Sequence, residues 1–175
     1  MTDGAPLEFV SAGPEQTVAL GRHLGALARP GDVIALDGEL GAGKTQLVRG
    51  LAEGLGLDAS HVSSPTFVLM HEYLPPDSAD ADTPPLLHLD AYRLAGPDDL
   101  ATLGYDHALR DASVTVVEWA ERFPDPDAHL GDHRLRMLIE HRSETQRRLT
   151  LTPRGRWSNR ATQLRAFTFA DSTPP

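Results

Sequence analysis

Residues Gly38 to Thr45 read Gly-Glu-Leu-Gly-Ala-Gly-Lys-Thr and match G-x-x-x-x-G-K-[ST] at every fixed position. Such a loop constrains its surroundings because its glycines turn backbone N–H groups inward toward an anion, which requires a strand before it and a helix after it. Both are present. Val33-Ile34-Ala35-Leu36 is a short apolar run, and Leu47, Val48, Leu51, Ala52 and Leu55 recur at helical spacing before Gly56, a C-cap residue. In this setting Lys44 reaches the β/γ-phosphates of a nucleotide, the Thr45 hydroxyl can ligate Mg²⁺, and the helix start adds partial positive charge. Lys44 is the only lysine beside 15 arginines, so the compact ammonium is reserved for the phosphate nest.

The rest of the chain alternates helical and extended patterns. Leu7–Val10 reads as an edge strand. A helix opens at Pro14, carries Thr17, Leu20, Leu24 and Leu27 on one stripe, and ends before Pro30-Gly31. Residues 62–73 open with turn chemistry and run into a strand; 74–85 are a Pro/Asp-rich exposed loop. Leu86–Arg93 reads as a strand with His88, Asp90 and Tyr92 on one face. Short helices are expected from Pro97 to Leu103 and on to Asp111, then a buried strand at Val114–Val117 leading to Glu118-Trp119. Alternation over 134–141 and 148–152 predicts an antiparallel hairpin with one wet face, and Ser158–Phe167 a short helix. The expected organisation is one domain over 1–155 followed by a tail at 156–175, frayed over 171–175.

Charge divides the chain. Residues 1–132 hold 7 Lys/Arg against 22 Asp/Glu, a net −15, whereas 133–170 hold 9 arginines against Glu140 and Glu144, a net +7. An acidic body argues against DNA or RNA binding by this chain alone, since phosphate contacts would work against its field. There are no cysteines, hence no disulfide and no thiolate metal site. The first residues hold no basic-then-apolar segment, and no apolar stretch approaches ~18 residues, so a cytoplasmic protein without a membrane span is expected.

Hydrolysis at such a loop needs a metal held from the far side and a group that orients water, a role suited to an acid at the end of an apolar strand. Asp90 and Glu118 both qualify: either holds Mg²⁺, directly or through water, while the other orients the attacking water. Lys44, Asp90 and Glu118 are therefore the catalytic candidates, and Thr45, Glu118 and Asp90 the metal candidates. The Ser64 and Thr66 hydroxyls are candidates for sensing the γ-phosphate. His88 lacks a third ligand at useful spacing and reads as a packed histidine; Trp119 reads as core. Guanine-specific P-loop proteins commonly carry Asn-Lys-x-Asp. With Asn159 as the only asparagine and Lys44 as the only lysine, no such element exists, and adenine is favoured.

The Gly38–Thr45 loop, Ser64-Pro65-Thr66-Phe67, His88-x-Asp90-x-Tyr92-Arg93 and Glu118-Trp119, in this order and at these separations, resemble the TsaE (YjeE) family. These are small bacterial ATPases required for threonylcarbamoyladenosine in tRNA. The resemblance runs from about Glu15 to Glu121. It implies a single-domain α/β fold: a P-loop NTPase-like three-layer sandwich with a mixed, partly parallel sheet. It further implies that Gly38, Glu39, Leu40, Gly41, Ala42, Gly43, Lys44 and Thr45 bind ATP with Thr17 near the base end. Mg²⁺ would sit on Thr45 and Glu118 with Asp90 close by, and Ser64 to Phe67 would respond to the nucleotide. The implied partners are TsaD and TsaB, with tRNA reached only through that complex. A small-molecule kinase, with Arg154, Arg156 and Arg160 as conceivable lid residues, and a non-catalytic ATP-gated module are the competing readings.

Overall fold

A computed structural model of the chain describes residues 4–65, 69–80, 82–94, 97–123 and 129–169. Thr66 and Phe67, and the frayed end expected at 171–175, lie outside these residues. In chain order the strands are β1 (Leu7–Ser11), β2 (Val33–Gly38), β3 (Met70–Tyr73), β4 (Leu86–Asp90), β5 (Val114–Glu118), β6 (Arg134–His141) and β7 (Arg147–Pro153). The helices are α1 (Pro14–Leu27), α2 (Lys44–Leu55), α3 (Pro97–Thr102), α4 (His107–Ala112), α5 (Arg156–Asn159) and α6 (Ala161–Arg165).

The seven strands form one sheet in the order β1-β7-β6-β2-β5-β4-β3. Its centre, β6-β2-β5-β4, is parallel, while β7, β1 and β3 are added antiparallel at the edges. β2 and β5 are buried on both faces and mostly apolar, as a parallel centre covered on both sides requires. On one face Leu20 and Leu24 of α1 and Leu47 and Leu51 of α2 pack over Ile34, Leu36, Leu86, Val116 and Met137. On the other, Leu100, Tyr105, Phe123 and Leu130 cover Val33, Ala35, Leu87, Leu89 and Val117. Each such fully buried Leu contributes about 1.5–3 kcal/mol, so the three layers hold together chiefly by apolar burial. Among the described residues no helix is long and apolar enough to cross a membrane.

α1 and α2 touch backbone to backbone. A Cβ at Gly21 would stand 2.3 Å from the Leu47 carbonyl oxygen, and one at Gly50 2.0 Å from that of Val18. Gly25 and Gly54 repeat the arrangement one turn on. This i, i+4 pair of glycines on each helix seats α2, and hence the loop before it, tightly against α1. α2 closes at Gly56, whose φ of 81° lets its N–H and that of Leu57 reach the last carbonyls.

Two local expectations are corrected. The strand expected over 86–93 stops at Asp90, because the Asp90 carboxylate accepts the Tyr92 N–H (2.9 Å) and caps a 3₁₀ turn over Ala91–Arg93. Tyr92 therefore leaves the face shared by His88 and Asp90. The helix expected over 158–167 is broken at Arg160 into α5 and α6, which place Trp157 and Leu164 in the core.

Candidate active site

β2 leads directly into the phosphate loop. Gly41 and Gly43 take φ of 76° and 105°, a backbone that aims successive N–H groups to one side and that side chains with a Cβ disfavour. Lys44, the first residue of α2, donates from Nζ to the carbonyls of Gly38 (2.6 Å) and Glu39 (2.9 Å) and lies 3.8 Å from the centre of the Trp119 ring. Burial pushes its ammonium below the usual lysine value, against the opposing pull of Glu118, Asp90, Glu121 and Asp37. Behind the loop, Arg147 at the start of β7 donates from Nε to the Ala42 carbonyl (3.2 Å) and braces the backbone.

The two strand-end acids are neighbours in register: Asp90 of β4 pairs with Glu118 of β5, and Glu118 with Leu36 of β2. Strand alternation turns His88, Asp90 and Glu118 to the α2 face. Glu118 is 3% exposed and fully engaged. It accepts from the Thr45 hydroxyl (3.0 Å), from Ser64 (3.4 Å) and from Nε2 of His88 (3.0 Å). Burial works to raise its carboxyl, but the hydrogen bond and attraction of His88, the Thr45 hydroxyl and the Lys44 charge outweigh it and hold the group below the ordinary glutamate value.

These groups face one cavity of about 580 Å³, lined by the loop from Leu40 to Gln46 and by Ser64, Asp90, Tyr92, Arg93, Glu118 and Trp119. That size lies within the range of small-ligand sites. The donor set suits a triphosphate with Mg²⁺: inward N–H groups, one ammonium, and hard oxygens at Thr45 and Glu118. Among the described residues no cluster of three or more His, Cys, Asp and Glu is positioned for a metal. At the cavity mouth Leu40 is 88% exposed, and two packed rings, Trp119 and Tyr92, are flanked by a cation at each end, Lys44 on Trp119 and Arg122 on Tyr92.

The structure thus brings together Leu40, Gly41, Ala42, Gly43, Lys44, Thr45, Ser64, Asp90 and Glu118, while Gly38 and Glu39 supply the carbonyls under Lys44. Thr17 lies behind Gly43, is 2% exposed and bonds Ser11 through its hydroxyl (3.1 Å); it does not line the cavity. Gln46, Tyr92, Arg93 and Trp119 line it without having been singled out as site residues. The signal for Tyr92 was the turn that Asp90 caps. Trp119, expected in the core although it belongs to a motif that carries the resemblance, is half-buried and lines the cavity, because it takes a left-handed backbone (φ 58°, ψ 43°) that a bulky residue rarely adopts. His88 is the packed histidine expected, and its partner is Glu118. Arg156 and Arg160 reach Asp32 and Arg154 reaches Asp132, away from the cavity, which removes the support for a lid.

Residues 11–149 match the family model described as threonylcarbamoyl adenosine biosynthesis protein TsaE. The chain is 46% identical over 147 residues to a tRNA threonylcarbamoyladenosine biosynthesis protein TsaE of Streptomyces coelicolor, covering 79% of this chain and 92% of the relative. It is 37% identical over 149 residues to the protein of that name from Bacillus subtilis, covering 85% and 87%. The crystal structure of YdiB from Bacillus subtilis superposes with a TM-score of 0.70 at 31% identity, covering 94% of this chain and 97% of that one.

Proposed function

The chain belongs to the TsaE family of threonylcarbamoyl adenosine biosynthesis proteins, and on that premise we propose that it binds ATP with Mg²⁺ and hydrolyses it in support of threonylcarbamoyladenosine formation in tRNA. The observation that carries this reading is one cavity with Lys44 and Thr45 on one wall and Asp90 and Glu118 on the other. The loop N–H groups and the start of α2 bind the phosphates, and Lys44 exchanges its two carbonyl partners for the β/γ oxygens. Thr45 and Glu118 would hold Mg²⁺, which supplies neutralisation of the charge gathering on the transferred phosphoryl group. Asp90, fixed through the Tyr92 N–H, orients the attacking water. His88 holds Glu118 from beneath, and Ser64 from the side.

The partners are TsaD and TsaB, in the cytoplasm, and the net charge of −9 suits a subunit that docks on proteins and leaves tRNA to them. Phosphate release measured with and without a TsaD–TsaB heterodimer tests the reading: slow turnover alone and faster turnover in its presence are expected. Unchanged release on adding the heterodimer, together with unimpaired tRNA modification when this chain is omitted, would overturn it.

A further inference from the structure

We propose that Asp37 is a positioning residue that fixes the Glu118-Trp119 turn over the phosphate loop. Asp37 is the penultimate residue of β2, and alternation with Val33 and Ala35 sends its side chain to the face opposite α1 and α2. It is buried. Its Oδ1 accepts the Glu121 N–H at 2.7 Å, and its Oδ2 lies 3.2 Å from Nη2 of Arg136, a side chain 63% exposed.

Glu121 belongs to the 3₁₀ turn Ala120–Arg122, whose own N-cap residue, Trp119, provides no side-chain cap. A carboxylate from the neighbouring strand does that work instead, satisfying an N–H left open at the start of the turn. The bond lies two residues beyond Trp119, whose left-handed conformation is unfavourable for a non-glycine and persists only where its surroundings enforce it. Holding Trp119 there keeps its ring on Lys44 and leaves the preceding Glu118 facing Thr45. Asp37 is also bonded to Gly38, whose carbonyl receives Lys44. One residue therefore joins the loop to the turn that faces it, and Arg136 offsets its charge from the solvent side.

This inference rests on the ATPase reading for its effect on turnover, but not for its effect on the turn. The full-length Asp37→Ala and Asp37→Asn variants are compared by acrylamide quenching of tryptophan fluorescence without nucleotide, by kcat and KM for ATP, and by thermal melting. Trp119 and Trp157 are the two tryptophans and Trp157 is fully buried, so quenching reports Trp119. For Asp37→Ala the quenching constant rises about twofold, kcat falls about tenfold and KM moves less than about threefold, the size of one lost charge-assisted hydrogen bond. Asp37→Asn keeps the acceptor and stays near the unaltered protein; Asp37→Ser, with a shorter acceptor, falls between and serves if the Ala variant does not fold. Lowered melting with unchanged quenching and kcat overturns the proposal. So does an Asn variant as impaired as Ala, which would assign the effect to charge near Lys44. If the unaltered protein hydrolyses no ATP, the ATPase reading fails and the quenching series still decides this one.

Discussion

β2 has a buried acid at each end, and the two ends are finished differently. Just before its first residue, Asp32 is fully buried and closed off: its Oδ2 accepts the Arg29 N–H (2.7 Å) and bonds Arg160, while Arg156 stands 3.5 Å from Oδ1. At the other end Glu118 and Asp90 face a cavity whose ammonium, Lys44, is bonded to carbonyls and a ring, while Asp37 turns to the opposite face of the sheet. The lower end sets two guanidinium groups against one carboxylate. The upper end gathers three acids around one partly desolvated lysine, an arrangement that a polyphosphate and a divalent cation would complete. Buried charge balanced by opposite charge within the chain suits anchoring, whereas carboxylates in excess of the cations beside them suit a cation from outside.

Substitutions at the two ends sharpen this contrast. Lys44→Ala has the largest expected effect: ATP affinity falls by about a thousandfold, as for loss of one partner of a buried charge pair, while the empty protein melts no lower. Calorimetric titration beside a melting curve measures both, and retained affinity would break the contrast at its upper end. Asp32→Ala does the reverse. It strands Arg160, Arg156 and the Arg29 N–H, lowers unfolding free energy by about 3 kcal/mol, and leaves ATP affinity per folded molecule unchanged. Denaturant unfolding with nucleotide titration checks it; a loss of affinity as large as the loss of stability would mean that the two ends are not separate.

Glu118→Gln comes next, with turnover down about a hundredfold and affinity for metal-free ATP nearly intact, since it removes only the charge of the carboxylate proposed to hold Mg²⁺. Equal losses in both would assign Glu118 to binding alone. The smallest effect is that of pH. Glu118 is held below its ordinary 4.5, so its contribution to stability is complete above that value and fades only as pH falls through the lower folded value. Lys44 is shifted below 10.5, so ATP affinity should begin to decline on the alkaline side before an ordinary lysine would titrate. An affinity profile flat up to 10.5 would contradict this.

Much of the upper end could be read from residue order. The phosphate loop declares its own strand and helix, and two apolar runs ending in Asp90 and Glu118 announce acids at strand tips. The lower end could not be read that way. The nine arginines after residue 132 look like a solvated basic face in sequence, yet Arg156 and Arg160 converge on Asp32 from more than a hundred residues away. Thr17, placed near the base by resemblance, has its hydroxyl turned to Ser11 at the end of β1, and α1 lies against α2 through Gly21, Gly25, Gly50 and Gly54. That contact depends on two helices meeting, which periodicity within one helix does not encode.

The sequence by itself determined the local chemistry: a glycine-lined anion nest, the only lysine beside it, strands that end in carboxylates, and a two-stranded C-terminal ribbon. These follow from steric and hydrogen-bonding rules that operate over a few residues. Only the tertiary structure decided that β4 and β5 run side by side so that Asp90 and Glu118 share one register, that His88 lies beneath Glu118, and that Asp37 ties Glu121 across the sheet. Each of those contacts joins residues 28 to 84 positions apart, and such pairings are set by how strands order themselves around a buried core, a choice that belongs to the whole chain.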